Sequence, residues 1–374
     1  MRIAMIGHKR IPSREGGIEI VVEELSTRMA ALGHVVTVYN RAGHHVSGRE
    51  NDVPERTMKE HRGVRMIWIP TFQRKSLNAI VYAILSTIHA LFGKYDVLHY
   101  HAEGSCAMIW IPKLFGIRVV ATIHGLDWQR AKWGGFATRF LLFGEKMAVK
   151  YADEIIVLSE NVQDYFKERY QRVTHFIPNG IKVPIKKNPE LITEKYNLAG
   201  NDYILFLARI VPEKGLHYLI EAYLQAGVAV KLVIVGGSSH TDTYMQEIKT
   251  RVEGNPDIIL TGFIQGRELE ELYSNCLFYV LPSDIEGMPL SLLEALSYGR
   301  QCLVSDIREN VEVIGEYGTC FQKGNVEDLK NRLVWLCNVA TTRYSAEEIR
   351  DYVCSKYDWE QVTNDTIALY KEQV

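Results

Sequence analysis

The sequence predicts an α/β protein of two Rossmann-like domains that face each other across a cleft and join near residue 180. Three observations predict it. Short apolar runs of strand length alternate with longer helical stretches along the whole chain, the pattern of parallel sheets covered on both faces. The turn signal Ile177-Pro178-Asn179-Gly180 and the polar stretch 182–189 interrupt that alternation before a new apolar run opens at Tyr203. The 374 residues exceed a typical single core and suit two domains of about 150–200 residues each. The first domain is expected over 1–180 and the second over 181–358. A helical tail, about 359–374, is expected to pack back across the junction onto the first domain.

In the first half the expected strands are 2–6, 35–39, 64–69, 96–100, 118–123, 154–158 and 174–177. The expected helices are 17–32, 77–92, 104–115, 137–151 and 160–169. The second half gives strands 203–208, 230–235, 257–261, 277–281, 302–304 and 319–321, with helices near 215–226, 242–253, 267–274, 290–298 and 325–338. A content of 47% hydrophobic and 24% charged residues is that of an ordinary globular protein, which excludes disordered and fibrous classes. The stretch 77–92 is broken by Asn78, Ser86, Thr87 and His89 and is short for a membrane span. Six scattered cysteines without a C-x-x-C pair read as reduced thiols, so a cytoplasmic location is expected. The first strand is expected right after Met1, at residues 2–6, so no signal peptide is expected.

The net charge of −2 divides unevenly. Residues 1–180 carry 24 Lys and Arg against 17 Asp and Glu, and residues 181–374 carry 19 against 28. A basic first half suits an anionic surface or an anionic acceptor, although a solvated face is also basic without a partner. Residues 127–150 interleave Trp128, Trp133, Phe140 and Phe143 with Arg130, Lys132, Arg139, Lys146 and Lys150. Such a stretch suits an anionic membrane interface; a packed helix with a basic outer face explains it equally well. A nucleic-acid partner is not expected.

The most informative motif is Glu286 with Glu294, in Glu286-Gly287-Met288-Pro289-Leu290 and onward to Glu294. The first acid sits in a Gly/Pro turn and the second about two helical turns on, at about 3.6 residues per turn. The amides of Met288 and Leu290 lie between them at a helix start, where unpaired donors and the dipole favour an anion. Two hydroxyl acceptors flanking an anion site match a sugar nucleotide. A solvated turn residue and an ordinary helix surface position would give the same spacing. A second motif favours the ligand reading: Arg209-Ile210-Val211-Pro212-Glu213-Lys214-Gly215 follows the run 203–208 and puts Arg209 and Lys214 at the carboxyl edge of a parallel sheet. Arg offers a planar fork and Lys a point charge to phosphate oxygens.

In the first half, Gly16-Gly17 opens a helix where backbone donors can approach a phosphate, with His8-Lys9-Arg10 adding positive charge nearby; a plain turn is the alternative. No G-x-G-x-x-G is present, which argues against NAD. His124 caps the fifth strand, positioned to meet a sugar hydroxyl or a proton, or to serve the fold alone. His99 and His101 share a strand face, but no third metal ligand is evident. No Ser-His-Asp spacing appears, which argues against a hydrolase.

These motifs together resemble family 4 of the retaining glycosyltransferases, with the GT-B double-Rossmann architecture, over nearly the full length. The likeness rests on Gly16-Gly17, Arg209, Glu213-Lys214-Gly215, Glu286 with Glu294, Ala152-Asp153, Leu158-Ser159, Pro178-Asn179-Gly180 and Trp359. The segment Glu15-Gly16-Gly17-Ile18-Glu19 with Val22-Glu23-Glu24-Leu25 is also similar to bacterial rhamnosyltransferases of capsule and cell-wall polysaccharide synthesis. The resemblance implies that Arg209 and Lys214 hold the donor diphosphate together with Gly17 backbone. It gives Glu294 the ribose hydroxyls, and Glu286 the donor-sugar hydroxyls near Gly287, Met288 and Leu290. His124 would face the sugar and Ile264, beside Phe263, the base. Gly125-Leu126-Asp127 after His124 departs from the family pattern, in which an Asp often follows more closely. The resemblance further implies a retaining transfer without divalent metal or other cofactor, from a nucleotide diphosphate sugar to a saccharide acceptor. That acceptor would be carried on a polyprenyl diphosphate at the cytoplasmic face of the membrane. A nucleotide-sugar epimerase and a catalytically silent sugar-nucleotide binder remain the alternatives.

Overall fold

A computed structural model describes residues 1–42, 58–71, 75–129, 135–237, 242–338 and 343–371. The chain divides into two compact units, Met1–Gly180 with Trp359–Val374, and Ile181–Asp358. Each is an open, mostly parallel, Rossmann-like α/β sheet.

The N-terminal unit holds strands β1 Arg2–Ile6, β2 Val35–Ala42, β3 Glu60–His61, β4 Val64–Pro70, β5 Val97–His101, β6 Arg118–Ile123, β7 Glu154–Val157 and β8 His175–Phe176. Their order across the sheet is β3-β4-β2-β1-β5-β6-β7-β8, and every described pairing is parallel except β3 with β4. Ile3 to Ile6 are buried throughout, as a strand covered on both faces requires. The hairpin β3–β4 was not expected from the sequence. Its turn is Arg62-Gly63, both at positive φ, the backbone that a two-residue hairpin loop demands.

Two further expectations need correcting. The helix expected over 104–115 is two short ones, Glu103–Cys106 and Trp110–Lys113. Pro112 sits in the first turn of the second, where its missing N–H costs nothing, but its ring excludes a continuous helix through Met108. In the C-terminal unit, helices Leu191–Tyr196, Arg308–Ile314 and Ala346–Lys356 went unread. The last is announced by a capping box, in which the Ser345 hydroxyl takes the Glu348 amide and the Glu348 carboxylate returns to the Ser345 amide.

The tail helix Trp359–Tyr370 packs on the N-terminal unit as expected. The Tyr370 hydroxyl lies 2.6 Å from His99 Nδ1, and Arg118 donates to the Leu369 carbonyl at 3.0 Å. A Cβ at Gly180 would stand 2.5 Å from the Trp359 indole, so only glycine lets the backbone lie that close.

The C-terminal unit holds β9 Tyr203–Leu207, β10 Lys231–Val235, β11 Ile258–Gly262, β12 Phe278–Leu281, β13 Gln301–Ser305 and β14 Thr319–Phe321. All described pairs are parallel in the order β11-β10-β9-β12-β13-β14. The chain therefore winds outward from β9 in one direction and then from β12 in the other. The carboxyl ends of β9 and β12 flank the switch point, where open α/β sheets bind ligands. In the N-terminal unit β1 and β5 flank the equivalent point. Among the described residues no helix is long and apolar enough to cross a membrane.

Candidate functional site

In the C-terminal unit the loops after β9 and β12 are in backbone contact. The loop after β9 closes in a short 3-10 turn, Pro212–Lys214, ended by Gly215 at φ +64°. A Cβ there would stand 2.0 Å from the Pro282 carbonyl oxygen, and the Asp284 amide donates to the Glu213 carbonyl at 2.9 Å. That approach brings Lys214 Nζ to Glu286 Oε1 at 2.5 Å, with the two side chains only 14% and 6% exposed. Lys214 and Glu286, assigned from the sequence to different parts of a ligand, thus pair with each other.

Arg209, half-buried, stands on the same loop. The loop is fixed from its other side by a glycine pair that sequence reasoning missed, Gly236-Gly237 at the end of β10. Ile210 donates to the Gly237 carbonyl at 3.0 Å, Gly236 donates to the Gly262 carbonyl at 2.9 Å, and a Cβ on Gly236 would meet the Ala208 carbonyl at 1.9 Å. The third loop, after β11, carries Ile264 in a buried position. A Gly-Gly pair directly after a strand was the available signal.

Gly287 and Met288 are buried, and Leu290 begins the helix Leu290–Ser297. The amides of Leu292 and Leu293 both donate to the Pro289 carbonyl, at 3.1 and 3.2 Å, which closes the first turn onto the 282–289 loop. Glu294 lies on this helix, its Oε2 3.0 Å from the hydroxyl of Tyr273. Tyr273 is buried, and burial first and the Glu294 charge second raise its pKa well above the ordinary value, so it stays a phenol and donates. Tyr279 ties the same helix to the end of β9, with its hydroxyl 2.8 Å from Ser291 Oγ and 3.1 Å from the Leu207 carbonyl. Neither tyrosine was singled out in the sequence, because each reads as an ordinary core aromatic.

In the N-terminal unit Gly7, at φ +124°, lets β1 and β5 converge: a Cβ would stand 2.0 Å from the His101 carbonyl oxygen. The positive charge expected from His8 is absent. His8 is buried with Nε2 2.9 Å from Asn40 Oδ1, and burial pushes its pKa down to about 4. Gly16 caps the helix Gly17–Ala31, and the Glu19 carboxylate fills the space beside it. Glu19 Oε1 accepts from the Lys9 amide at 2.9 Å, and a Cβ on Gly16 would stand 2.1 Å from Glu19 Oε2. An incoming phosphate at Gly17 would have to share this helix start with a carboxylate.

His124 directly follows β6, buried, with Nε2 3.0 Å from His101 Nδ1. His99 is engaged at both ring nitrogens, by Tyr370 and by Thr122 Oγ1 at 2.7 Å, which accounts for it as part of the tail-helix dock. In the basic aromatic segment, Trp128 is turned inward onto buried Glu145 at 3.1 Å. Helix Gly135–Tyr151 exposes Phe136, Arg139, Phe143, Lys146 and Lys150 at helical spacing on one face, with Phe136 70% and Phe143 44% exposed. Arg130, Lys132 and Trp133 lie outside the described residues.

Comparisons with known proteins bear on the whole chain. The family model described as Glycosyltransferase Family 4 matches residues 15–183, and the one described as Glycosyl transferases group 1 matches residues 189–348. An uncharacterized glycosyltransferase of Methanocaldococcus jannaschii is 24% identical over 368 residues, covering 96% of this chain and 95% of that protein. The Escherichia coli UDP-Gal:alpha-D-GlcNAc-diphosphoundecaprenol alpha-1,3-galactosyltransferase is 25% identical over 330 residues, covering 83% of this chain and 84% of its own. Among solved structures, Anabaena Alr3699/HepE in complex with UDP and glucose superposes with a TM-score of 0.81 at 16% identity, covering 98% of each chain.

Proposed function

Because the chain belongs to the glycosyltransferases of group 1 and family 4, we propose that it moves a hexosyl or deoxyhexosyl group, rhamnosyl included, from a nucleotide diphosphate sugar to a saccharide acceptor with retained configuration. The observation that carries this reading is the meeting of Lys214 and Glu286 at the switch point of the C-terminal unit, with Arg209 on the same loop. An ammonium and a carboxylate in contact are matched to neighbouring parts of one ligand, a diphosphate and a sugar hydroxyl. A diphosphate arriving at Lys214 can share its three N–H donors, leaving Glu286 to accept from the sugar.

Arg209 and Lys214 bind the diphosphate and stabilise the charge that grows on its bridging oxygen as the glycosidic bond breaks. The acceptor hydroxyl attacks from the face the diphosphate leaves, and the departing oxygen takes its proton. No protein nucleophile and no divalent metal take part; positioning supplies most of the acceleration. Glu294 holds the ribose hydroxyls, Ile264 lies by the base, and His124 contacts the donor sugar. Incubation with a panel of labelled nucleotide sugars, with and without lipid-linked acceptor, tests the reading. Acceptor-dependent product is expected; turnover of the donor alone into an epimer, or binding without turnover, would overturn it.

Glu294→Gln is expected to weaken binding of the nucleoside diphosphate itself about tenfold, because a ribose contact persists in the product and a hydrogen bond to a charged group contributes about 1.5–3 kcal/mol. Titration calorimetry reads it, and unchanged affinity would remove Glu294 from the ribose. Glu286→Gln acts instead on kcat and sugar selectivity.

The acceptor of this reading is carried on a polyprenyl diphosphate, in bacterial surface polysaccharide synthesis, and the enzyme works as a peripheral protein at the cytoplasmic face of the membrane. A diphosphoundecaprenol-linked acceptor in the name of the Escherichia coli relative supports this, as does the exposed face of Phe136, Arg139, Phe143, Lys146 and Lys150. Each cation near an anionic surface contributes about 1 kcal/mol. Vesicles containing phosphatidylglycerol are therefore expected to float with the protein at low salt, and Arg139→Glu with Lys146→Glu to cut recovery at least about tenfold. Equal recovery with phosphatidylcholine vesicles, or none with either, would overturn the membrane role.

A further inference from the structure

The amino ends of β12, β13 and β14 border a cavity of about 420 Å3 in the C-terminal unit, at the opposite sheet edge from the loops that carry Lys214 and Glu286. β12 is four residues long, so its two ends stand about 13 Å apart at about 3.3 Å per residue. The volume falls within the range of small-molecule pockets, about 300–1,000 Å3. Gln301 and Thr319 come from the strands, Glu316 and Tyr317 from the turn before β14, and Trp335 from the helix Val326–Asn338.

Trp335 is 52% exposed, although it shares its helix with the buried Leu329, Leu333 and Leu336. Tyr317 is held in place by two further rings, Tyr352 at 4.4 Å and Tyr344 at 4.6 Å between centroids. The Gln301 amide and the Thr319 and Tyr317 hydroxyls line the same cavity, and their side chains make no hydrogen bond to protein among the described residues. The charges around the cavity cancel. Arg332 Nε lies 3.4 Å from Asp328 Oδ1, the Tyr344 hydroxyl donates to Glu316 Oε2 at 2.5 Å, and the Arg343 guanidinium lies over the Tyr344 ring at 5.2 Å.

Two arginines set against two carboxylates leave no surplus of positive charge for a phosphate or a nucleotide. A peptide strand needs a sheet edge to extend, and the edge strand β14 offers only three residues. An open aromatic face flanked by uncharged donors and acceptors matches a sugar ring, which has an apolar C–H face and a rim of hydroxyls. We propose that this cavity binds a neutral saccharide, at a site separate from that of Lys214 and Glu286. Trp335 is the platform for the ring, and Gln301, Thr319 and Tyr317 meet its hydroxyls. The proposal stands on the chemistry of the cavity and not on the transfer reaction.

The test is a titration of the full-length protein with maltotetraose, mannotetraose, chitotetraose and the methyl glycosides of galactose and rhamnose. The readout is the 1H–15N signal of the Trp335 indole, assigned by its loss in Trp335→Phe. A saturable shift with at least one of these sugars is expected, and no shift with any of them overturns the proposal, whether or not inorganic phosphate moves the signal. Calorimetry with the sugar that binds should show affinity at least about tenfold weaker in Trp335→Ala, which loses the platform, and about threefold or more weaker in Gln301→Ala, which loses a hydrogen bond. Unchanged affinity in both variants would put the sugar elsewhere and overturn the proposal. A dimer in light scattering that Trp335→Ala dissociates would give this face to a second copy of the chain, which also overturns it. Should Trp335→Ala fail to fold, the Trp335 signal in the unaltered protein and Gln301→Ala decide in its place. Because binding is read without turnover, a protein that binds these sugars at Trp335 and transfers none would lose the proposed function and keep this site.

Discussion

Lys214→Ala and Arg209→Ala are each expected to lower kcat/KM at least about a hundredfold. A charge-assisted hydrogen bond contributes about 1.5–3 kcal/mol, more where it meets charge developing in the transition state, and about 1.4 kcal/mol is a factor of ten in rate. The Lys214 substitution carries a second effect. Glu286, with its side chain 6% exposed, would lose the ammonium 2.5 Å away, and breaking a buried pair costs about 3–5 kcal/mol of stability. Lys214→Met combined with Glu286→Gln separates the two effects. The neutral pair should recover much of the lost stability, read as the midpoint of denaturant unfolding, and none of the activity. Arg209→Ala, which leaves that pair in place, should lose activity at nearly unchanged stability. Near-normal turnover in either single variant, correctly folded, would remove the diphosphate assignment.

The strands themselves and the ends of β9 and β12 were legible because buried parallel strands are short apolar runs, and because Gly215, Pro282 and Gly287 punctuate the turns after them. Position along the chain therefore put Lys214 and Glu286 at one sheet edge. Their mutual contact was not legible, since it depends on how closely two loops approach. The same holds for Glu19 over Gly16: an acid in the first turn of a helix is an ordinary favourable placement, and only the fold shows that its carboxylate lies directly beside Gly16 and accepts from the Lys9 amide. His101 was read only as half of a possible metal pair, and Tyr273 was not read at all, for another reason. Each sits in a strand or helix pattern that core residues fill, and hydrogen-bonding atoms inside a core leave no mark on periodicity. The break at Pro112 and the capping box at Ser345 and Glu348 did leave a mark; there the local chemistry was present in the sequence and outweighed by the longer apolar pattern.

Gly215→Ala is expected to damage both stability and nucleotide binding, and Gly227→Ala stability alone. The two glycines have nearly the same left-handed backbone, φ +64° and +58°. A side chain at either costs about 1–2 kcal/mol through that conformation. Around Gly227 nothing lies within 4 Å of an added Cβ, so the cost ends there. At Gly215 the Cβ would stand 2.0 Å from the Pro282 carbonyl oxygen and 2.9 Å from its carbon, backbone atoms that cannot swing aside. The loops after β9 and β12 must separate, at about 1–3 kcal/mol more for overpacking. That separation acts on the 2.9 Å bond from Asp284 to Glu213 and on the contact of Lys214 with Glu286. The expected outcome is a lower unfolding midpoint for Gly215→Ala than for Gly227→Ala, and nucleoside diphosphate affinity at least about tenfold weaker in Gly215→Ala only, as a displacement of about 1.4 kcal/mol in the contacts would give. Equal stability and equal affinity in the two variants would mean that the close approach of these loops does not build the site.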